Sequence, residues 1–362
     1  MIADRRVSAL RRRLGDSGLS AILVSGIANV RYLTGFEDVF DGEANVALVL
    51  TDQVARLYTD SRYSEACEIA ADGTPWRVHV PKESVYTELC NDLDADGLKG
   101  LAIEASVPYG RFKFISEKFG GRVEVVDQWV EEIRRTKESG EIERMAAAAE
   151  LADRAFGHIL DRLVPGVTEA QIALELEVHM RSHGSEGVAF EPLVASGPNS
   201  SRPHARVSSR PLEAGDLVTM DFGARVRGYC SDMTRTVVMG AATPRQAEIY
   251  AAVLDAQVSA IDAVKSGVPG LKIDAVARDL LTERGFGEYF GHGLGHGVGL
   301  DVHELPSVSS RARESVLAGA VITIEPGVYV PGFGGVRIED LVLVEDGGCR
   351  VLSCAPKHLI QI

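Results

Sequence analysis

Four carboxylates in two matching settings carry the first chemical signal in this sequence. Residues 214–223 read Ala-Gly-Asp-Leu-Val-Thr-Met-Asp-Phe-Gly and residues 318–327 read Ala-Gly-Ala-Val-Ile-Thr-Ile-Glu-Pro-Gly, aligned position for position. Each stretch is a β-rich run ending in an acid, Asp221 in the first and Glu325 in the second. Glycines follow, and a second strand then carries another acid: Asp232 eleven residues after Asp221, and Glu339 fourteen after Glu325. Any one of these acids alone reads as a solvated turn residue, since Asp and Glu are seldom buried without partners. Here, however, they close the apolar runs Leu217-Val218-Thr219-Met220 and Val321-Ile322-Thr323-Ile324, where an unpaired buried carboxylate costs several kcal/mol. Two similar hairpins facing each other would bring four acids to one point, and such a cluster repels itself unless cations hold it. The repeat therefore predicts a metal site.

Histidines supply the second signal. The segment from Gly291 to Glu304 places three of the nine histidines, His292, His296 and His303, within twelve residues, separated by glycines that allow close backbone approach. A phosphate-binding loop is excluded, because no Lys-Ser or Lys-Thr follows and the G-x-G-x-x-G spacing is absent. The zinc-protease helix H-E-x-x-H fails as well, since His303-Glu304-Leu305-Pro306-Ser307 lacks the second histidine and contains proline. The isolated His79, His158, His179, His183 and His358 read as surface or packing residues. Four carboxylates with one imidazole form a mostly hard-oxygen set for two divalent ions, and the nitrogen favours Mn, Co, Fe or Zn over Mg. The four negative ligands match the charge of two dications. A water held between two such ions loses a proton near neutral pH, so hydrolysis is the natural chemistry.

The elements that must position these groups fall into two halves. Residues 3–16 show helical spacing, and Ala21-Ile22-Leu23-Val24 reads as a short buried strand. Similar strands are predicted at 47–50, 56–59 and 101–103, with helical stretches between them including 64–71, which makes the first half an α/β unit. A charged run over 131–144 opens a long helix predicted at 141–163, ended by Pro165-Gly166, and another is predicted over 169–183. The domain boundary is placed near Ile133, giving an N-terminal α/β domain of residues 1–132 and a catalytic domain of residues 133–362. After residue 184 the chain becomes Gly-punctuated strands.

Composition limits what else the chain does. It has 362 residues, 45% hydrophobic and 25% charged, with a formal charge of -14. That sign opposes binding to a phosphate backbone, so nucleic acid is not an expected partner. No apolar run approaches the ~20 residues needed to span a bilayer, and the N-terminus lacks a signal-peptide apolar core. The five cysteines are scattered and never spaced C-x-x-C. The expected protein is soluble and cytoplasmic, with no membrane partner.

Taken together, these motifs resemble the pita-bread metallopeptidases, the family of methionine aminopeptidase, Xaa-Pro aminopeptidase and prolidase. The resemblance rests on Met220-Asp221-Phe222-Gly223, on the run from Tyr229 to Thr236, on Gly291 to Glu304, on Thr323-Ile324-Glu325-Pro326-Gly327 and on Gly335 to Asp340, in that order. The N-terminal unit and the Arg134-Arg135-Thr136-Lys137 stretch are similar to the proline-specific branch. The resemblance implies an α+β architecture: a C-terminal pita-bread domain of the creatinase/aminopeptidase type, preceded by a smaller creatinase-N-like α/β domain. It implies Asp221, Asp232, His296, Glu325 and Glu339 as ligands of two divalent ions, manganese first with cobalt, zinc or iron as alternatives, and Asp232 and Glu339 as bridges. It also implies His204, His292 and His303 as substrate-binding and proton-handling groups, with His204 seventeen residues before Asp221. Arg337, two positions before Glu339 on a strand, faces the same way and can fix neighbouring acids, and Thr234 stands in the same relation to Asp232.

The implied reaction removes an N-terminal residue from a peptide with proline at position two. Proline offers no N–H and a fixed φ, so general aminopeptidases cannot grip it. Glu325 is the expected proton carrier, His303 the expected oxyanion donor, and His292 is expected to position the ring. Strict Xaa-Pro dipeptidase activity is the alternative; some prolidases resembling this chain carry an arginine where Ser307 stands, while Arg206, Arg311 or Arg313 offer other cations. A creatinase-like hydrolase without metal and a non-catalytic peptide-binding module are the remaining rivals, and the complete ligand set argues against both. The resemblance further implies a homodimer and a loop 37–45, after Asn29 to Phe36, able to reach the partner subunit's site, the alternative being a surface loop between strands.

Overall fold

A computed structural model describes residues 2–362, which divide into two compact units, one ending at Arg134 and one spanning Arg135–Ile362. The first unit is built on a six-stranded sheet in the order Arg77–His79, Ala55–Thr59, Val46–Thr51, Ala21–Val24, Gly100–Glu104 and Arg122–Val126. Ala21–Val24 lies inside it, antiparallel to Val46–Thr51 and parallel to Gly100–Glu104. All four of its residues are buried. That is why the segment reads as an unbroken apolar run rather than an alternating one. Leu89, Cys90 and Leu93 of the helix Val85–Ala95 pack on the same core.

The second unit repeats one theme twice: a packed pair of helices followed by a sheet. Ser139–Leu160 pairs with Glu169–Ser182, and Pro244–Asp262 with Gly270–Glu283. The long helix spans Ser139–Leu160, two residues earlier at its start and three at its end than the predicted 141–163, and the charged run over 131–144 is divided between two helices. Glu131–Arg134 forms its own short helix, and Glu138 and Glu141 make a capping box that starts the long helix at Ser139.

In the first sheet Leu217–Phe222 runs antiparallel to Met233–Val238, with Asp221 opposite Thr234, and Leu193–Ser196 flanks it with Leu193 opposite Asp221. In the second sheet Val321–Ile324 runs antiparallel to Asp340–Val344 and also pairs with Gly295–Gly297. Each copy inserts a small ribbon between its two main strands: Ala224–Val226 with Tyr229–Cys230 in the first, Gly327–Val330 with Gly334–Arg337 in the second. The longer second ribbon accounts for the wider acid spacing there.

Buried polar bonds join the copies. Thr219 Oγ1 donates to the Gly335 carbonyl at 3.1 Å, Thr236 Oγ1 to the Arg337 carbonyl at 3.0 Å, and the Glu339 N–H to the Thr234 carbonyl at 3.1 Å. Within each copy a glycine lets neighbouring backbone segments approach closely. A Cβ at Gly223 would lie 1.9 Å from the Ser231 oxygen, and one at Gly295 would lie 2.0 Å from the Thr323 oxygen. Arg235 is fully buried in Met233–Val238 and pairs with Asp340 at 2.7 Å, while Gln257 and Lys357 bond the other Asp340 oxygen. The whole polar knot sits one residue from Glu339 and two from Asp232's neighbour Met233, so it anchors the strands that carry two of the acids.

Candidate active site

The five residues implied as metal ligands stand at strand ends that open on one cavity of about 360 Å³, together with His204, His292, His303 and Arg337. Asp221 is the penultimate residue of its strand, Asp232 immediately precedes Met233–Val238, Glu325 follows Val321–Ile324, and Glu339 lies between Gly334–Arg337 and Asp340–Val344. His296 occupies the middle of Gly295–Gly297. Ligand atoms of Asp232, His296 and Glu339 all lie within 4.8 Å of one another. His296 Nε2 stands 3.3 Å from Glu325 Oε1 and 3.7 Å from Asp232 Oδ2.

The orientation of each group follows from its bonds. His296 Nδ1 lies 3.1 Å from its neighbour's carbonyl at Gly297, an acceptor that requires a proton on Nδ1 and turns Nε2 toward the acids. Thr323 Oγ1 accepts from the His296 N–H at 3.0 Å and donates to Glu325 Oε1 at 3.2 Å. Arg337 is buried and donates from Nη2 to Asp221 Oδ2 at 2.5 Å, from Nε to Thr234 Oγ1 at 2.9 Å, and from Nη1 to Tyr329 Oη at 2.8 Å and to the Pro203 carbonyl at 3.2 Å. Thr234 Oγ1 in turn donates to Glu339 Oε2 at 2.6 Å. Arg337 and Glu339 thus meet on one threonine hydroxyl rather than directly.

His292 Nδ1 lies 2.8 Å from the Gly293 carbonyl and Nε2 3.1 Å from Tyr329 Oη. Burial pushes the His292 pKa down, so the ring is neutral, with Nδ1–H donating and Nε2 accepting the tyrosine proton. Tyr329, Thr323 and the Pro203 carbonyl are site groups that local sequence reasoning misses; Tyr329 sits in an ordinary Val-Tyr-Val strand pattern. His303 lies against His296, ring centroids 4.2 Å apart with the planes tilted by 48°, and burial holds its pKa below the usual histidine range as well.

The electrostatics show what the cluster requires. Burial, then repulsion from Glu339 and Asp221, holds Asp232 well above the ordinary carboxylate range. Burial, then Glu325 and Asp221, does the same to Glu339. Asp221 is raised by burial although Arg337 opposes the shift. Burial works against the charges of Glu325 and His296, yet their mutual bond outweighs it, lowering Glu325 and raising His296. Asp221 Oδ1 is buried without a hydrogen-bond partner. Four acids against Arg337 and one imidazole leave uncompensated negative charge, and oxygen-rich donors with one nitrogen suit divalent ions. The donor set and the orphaned Asp221 oxygen therefore fit a divalent-metal centre.

Replacing Arg337 with lysine tests the frame. An ammonium cannot span Asp221, Thr234, Tyr329 and the Pro203 carbonyl at once. The variant is expected to lose roughly 1–3 kcal/mol in urea unfolding of the metal-free protein. Unchanged stability would show that the guanidinium bonds are not what holds Asp221 in place.

Elsewhere in this unit His158, His179 and His183 form a stack with successive centroids 4.0 Å apart on the helix pair, and His158 bonds Glu175. They lie outside the cavity.

The comparisons with known proteins agree in extent with this architecture. The model of Metallopeptidase family M24 matches residues 143–346, and that of the Creatinase/Prolidase N-terminal domain matches residues 6–136. Uncharacterized peptidase YqhT of Bacillus subtilis is 40% identical over 357 residues, 98% of this chain and 99% of the relative. An Xaa-Pro dipeptidase of Pyrococcus horikoshii is 35% identical over 99% of each chain. Among solved structures, an Xaa-Pro dipeptidase from Bacillus anthracis superposes with a TM-score of 0.94 at 36% identity, covering 99% of this chain and 100% of the other. An X-Pro aminopeptidase from Thermotoga maritima gives 0.86 at 36% identity, covering 97% and 100%.

Proposed function

Because this chain belongs to metallopeptidase family M24, we propose that it hydrolyses the bond between an N-terminal residue and a following proline, as an Xaa-Pro aminopeptidase. The observation that carries the reading is the convergence of Asp221, Asp232, His296, Glu325 and Glu339 on one cavity. These five residues would hold two divalent ions, manganese first. When bound, such ions supply a hydroxide nucleophile at neutral pH and polarise the scissile carbonyl.

The chain's own groups do the rest. Glu325, whose charged form His296 favours, has Oε1 engaged by Thr323, which leaves Oε2 to take the nucleophile's proton and pass it toward the proline nitrogen. His303, neutral by burial, donates an N–H to the developing oxyanion. The chain Arg337 to Tyr329 to His292 fixes the tautomer of His292 and keeps that ring facing the substrate. His204 binds the substrate from the loop opposite.

Substrate length divides the reading. Ser307 pairs with His296 across the ladder, so both side chains project from the same face of the sheet. A short, uncharged residue at that place leaves the chain beyond proline unopposed and supports an aminopeptidase. The second reading, strict dipeptidase, has its own observation: Arg311 lines a neighbouring cavity of about 320 Å³ that also includes His292 and Gly293, where a guanidinium would meet a terminal proline carboxylate. Both specificities occur in the names of the relatives. Metal-loaded enzyme is expected to cleave Xaa-Pro-Yaa with kcat/KM at least comparable to Xaa-Pro; cleavage of the dipeptide alone would transfer the assignment to the dipeptidase.

A cytoplasmic homodimer completes the proposal. Five free cysteines support a reducing compartment, with burial pushing the Cys67 and Cys90 thiols up to about 11. Among the described residues no helix is long and apolar enough to cross a membrane.

A further inference from the structure

Glu169 is a buried carboxylate that the mechanism above does not use. It occupies the first position of the helix Glu169–Ser182, after the N-cap Thr168, with no solvent exposure. Its Oε1 accepts from the Ser196 N–H at 2.7 Å and from Ser196 Oγ at 2.8 Å. Its Oε2 accepts from the Ser208 N–H at 3.0 Å and from Ser208 Oγ at 2.7 Å, and Asn199 Nδ2 donates to both oxygens at 2.9 and 3.1 Å. Charge-assisted bonds to backbone N–H groups are among the stronger ones, and the helix N-terminus favours a negative charge there.

The donors come from the two ends of one segment, residues 196–208. One carboxylate therefore ties a loop shut at its neck. The cargo of that loop is His204, which lines the catalytic cavity, and Pro203, whose carbonyl accepts from Arg337. A loop closed at both ends loses little further freedom when substrate arrives.

We propose that Glu169 is a positioning residue for His204, holding the 196–208 loop in the one conformation that points this imidazole at the substrate. The proposal rests on the peptidase reading for its activity arm. Glu169→Gln keeps the shape but turns one acceptor oxygen into an amide NH2 facing N–H and O–H donors, so the neck opens.

In metal-loaded enzyme, Glu169→Gln is expected to lower kcat/KM on an Xaa-Pro-Yaa peptide about 100-fold, yet by no more than about twofold when His204 is already alanine. Trypsin cleavage after the exposed Arg206 should accelerate about tenfold or more, with metal content unchanged. Ser208→Ala removes one donor and follows the same pattern more weakly, which keeps the test open if Glu169→Gln does not fold. Equal losses in both backgrounds, or no loss, overturn the proposal, as does unchanged cleavage after Arg206. If the wild type cleaves no proline peptide, the peptidase reading falls, and the Arg206 cleavage rate still decides whether Glu169 closes the loop.

Discussion

Replacing Glu325 with glutamine is expected to reduce kcat on a proline peptide by about 10²–10⁴-fold, the range that a positioned general base supplies. Glutamine keeps the volume and one oxygen, so Thr323 and His296 retain a partner and the strand end is undisturbed. What disappears is the carboxylate oxygen that accepts a proton. The buried pairing with His296 favours the ionised acid, so the wild-type residue is a competent acceptor at neutral pH. Steady-state kinetics on variant protein with its metal content measured decides the matter. Near-normal turnover at full metal loading would remove Glu325 from the proton path.

Stripping divalent ions with a chelator is expected to abolish hydrolysis, and adding back manganese or cobalt is expected to restore it. Binding also stabilises the fold, by about 2.7 kcal/mol at a hundredfold excess over Kd. This stabilisation should depend on pH in a definite sense. Asp232 and Glu339 hold their protons more tightly in the metal-free fold than in the unfolded chain, where carboxylates titrate near about 4. The unfolded state therefore releases these protons first, and the metal-free protein loses stability as pH rises from that range through the elevated folded values. Ions displace those protons, so the rise in Tm on adding manganese should grow as pH increases across the same window. A metal-induced Tm shift that stays flat with pH would show that these two acids are not the ligands.

How much of this was readable before the chain was folded differs by residue. Asp221, Asp232, Glu325 and Glu339 were legible because each ends an apolar run in a repeated phrase, and a repeat in sequence places the same groups at the same end of two similar hairpins. His292, His296 and His303 stood out by crowding among glycines. His204 is different: inside a serine-rich loop nothing local marks it, and only the resemblance to a family singles it out. Arg235 shares a face of its strand with the apolar Met233 and Val237, and nothing beside it in the sequence names a partner for its charge. That strand is buried at all six positions, and the arginine meets Asp340, 105 residues away, at the heart of the sheet.

The amino-acid order alone determined the two-part organisation, the buried strands and the duplicated acids, since periodicity and turn chemistry act between residues a few positions apart. Only the tertiary structure decided that Tyr329 links Arg337 to His292, that Thr234 is the hydroxyl between Arg337 and Glu339, and that Glu169 closes the loop bearing His204. Those contacts depend on which faces meet when the two sheets pack, and a side chain's neighbours across such a junction leave no trace in the residues beside it.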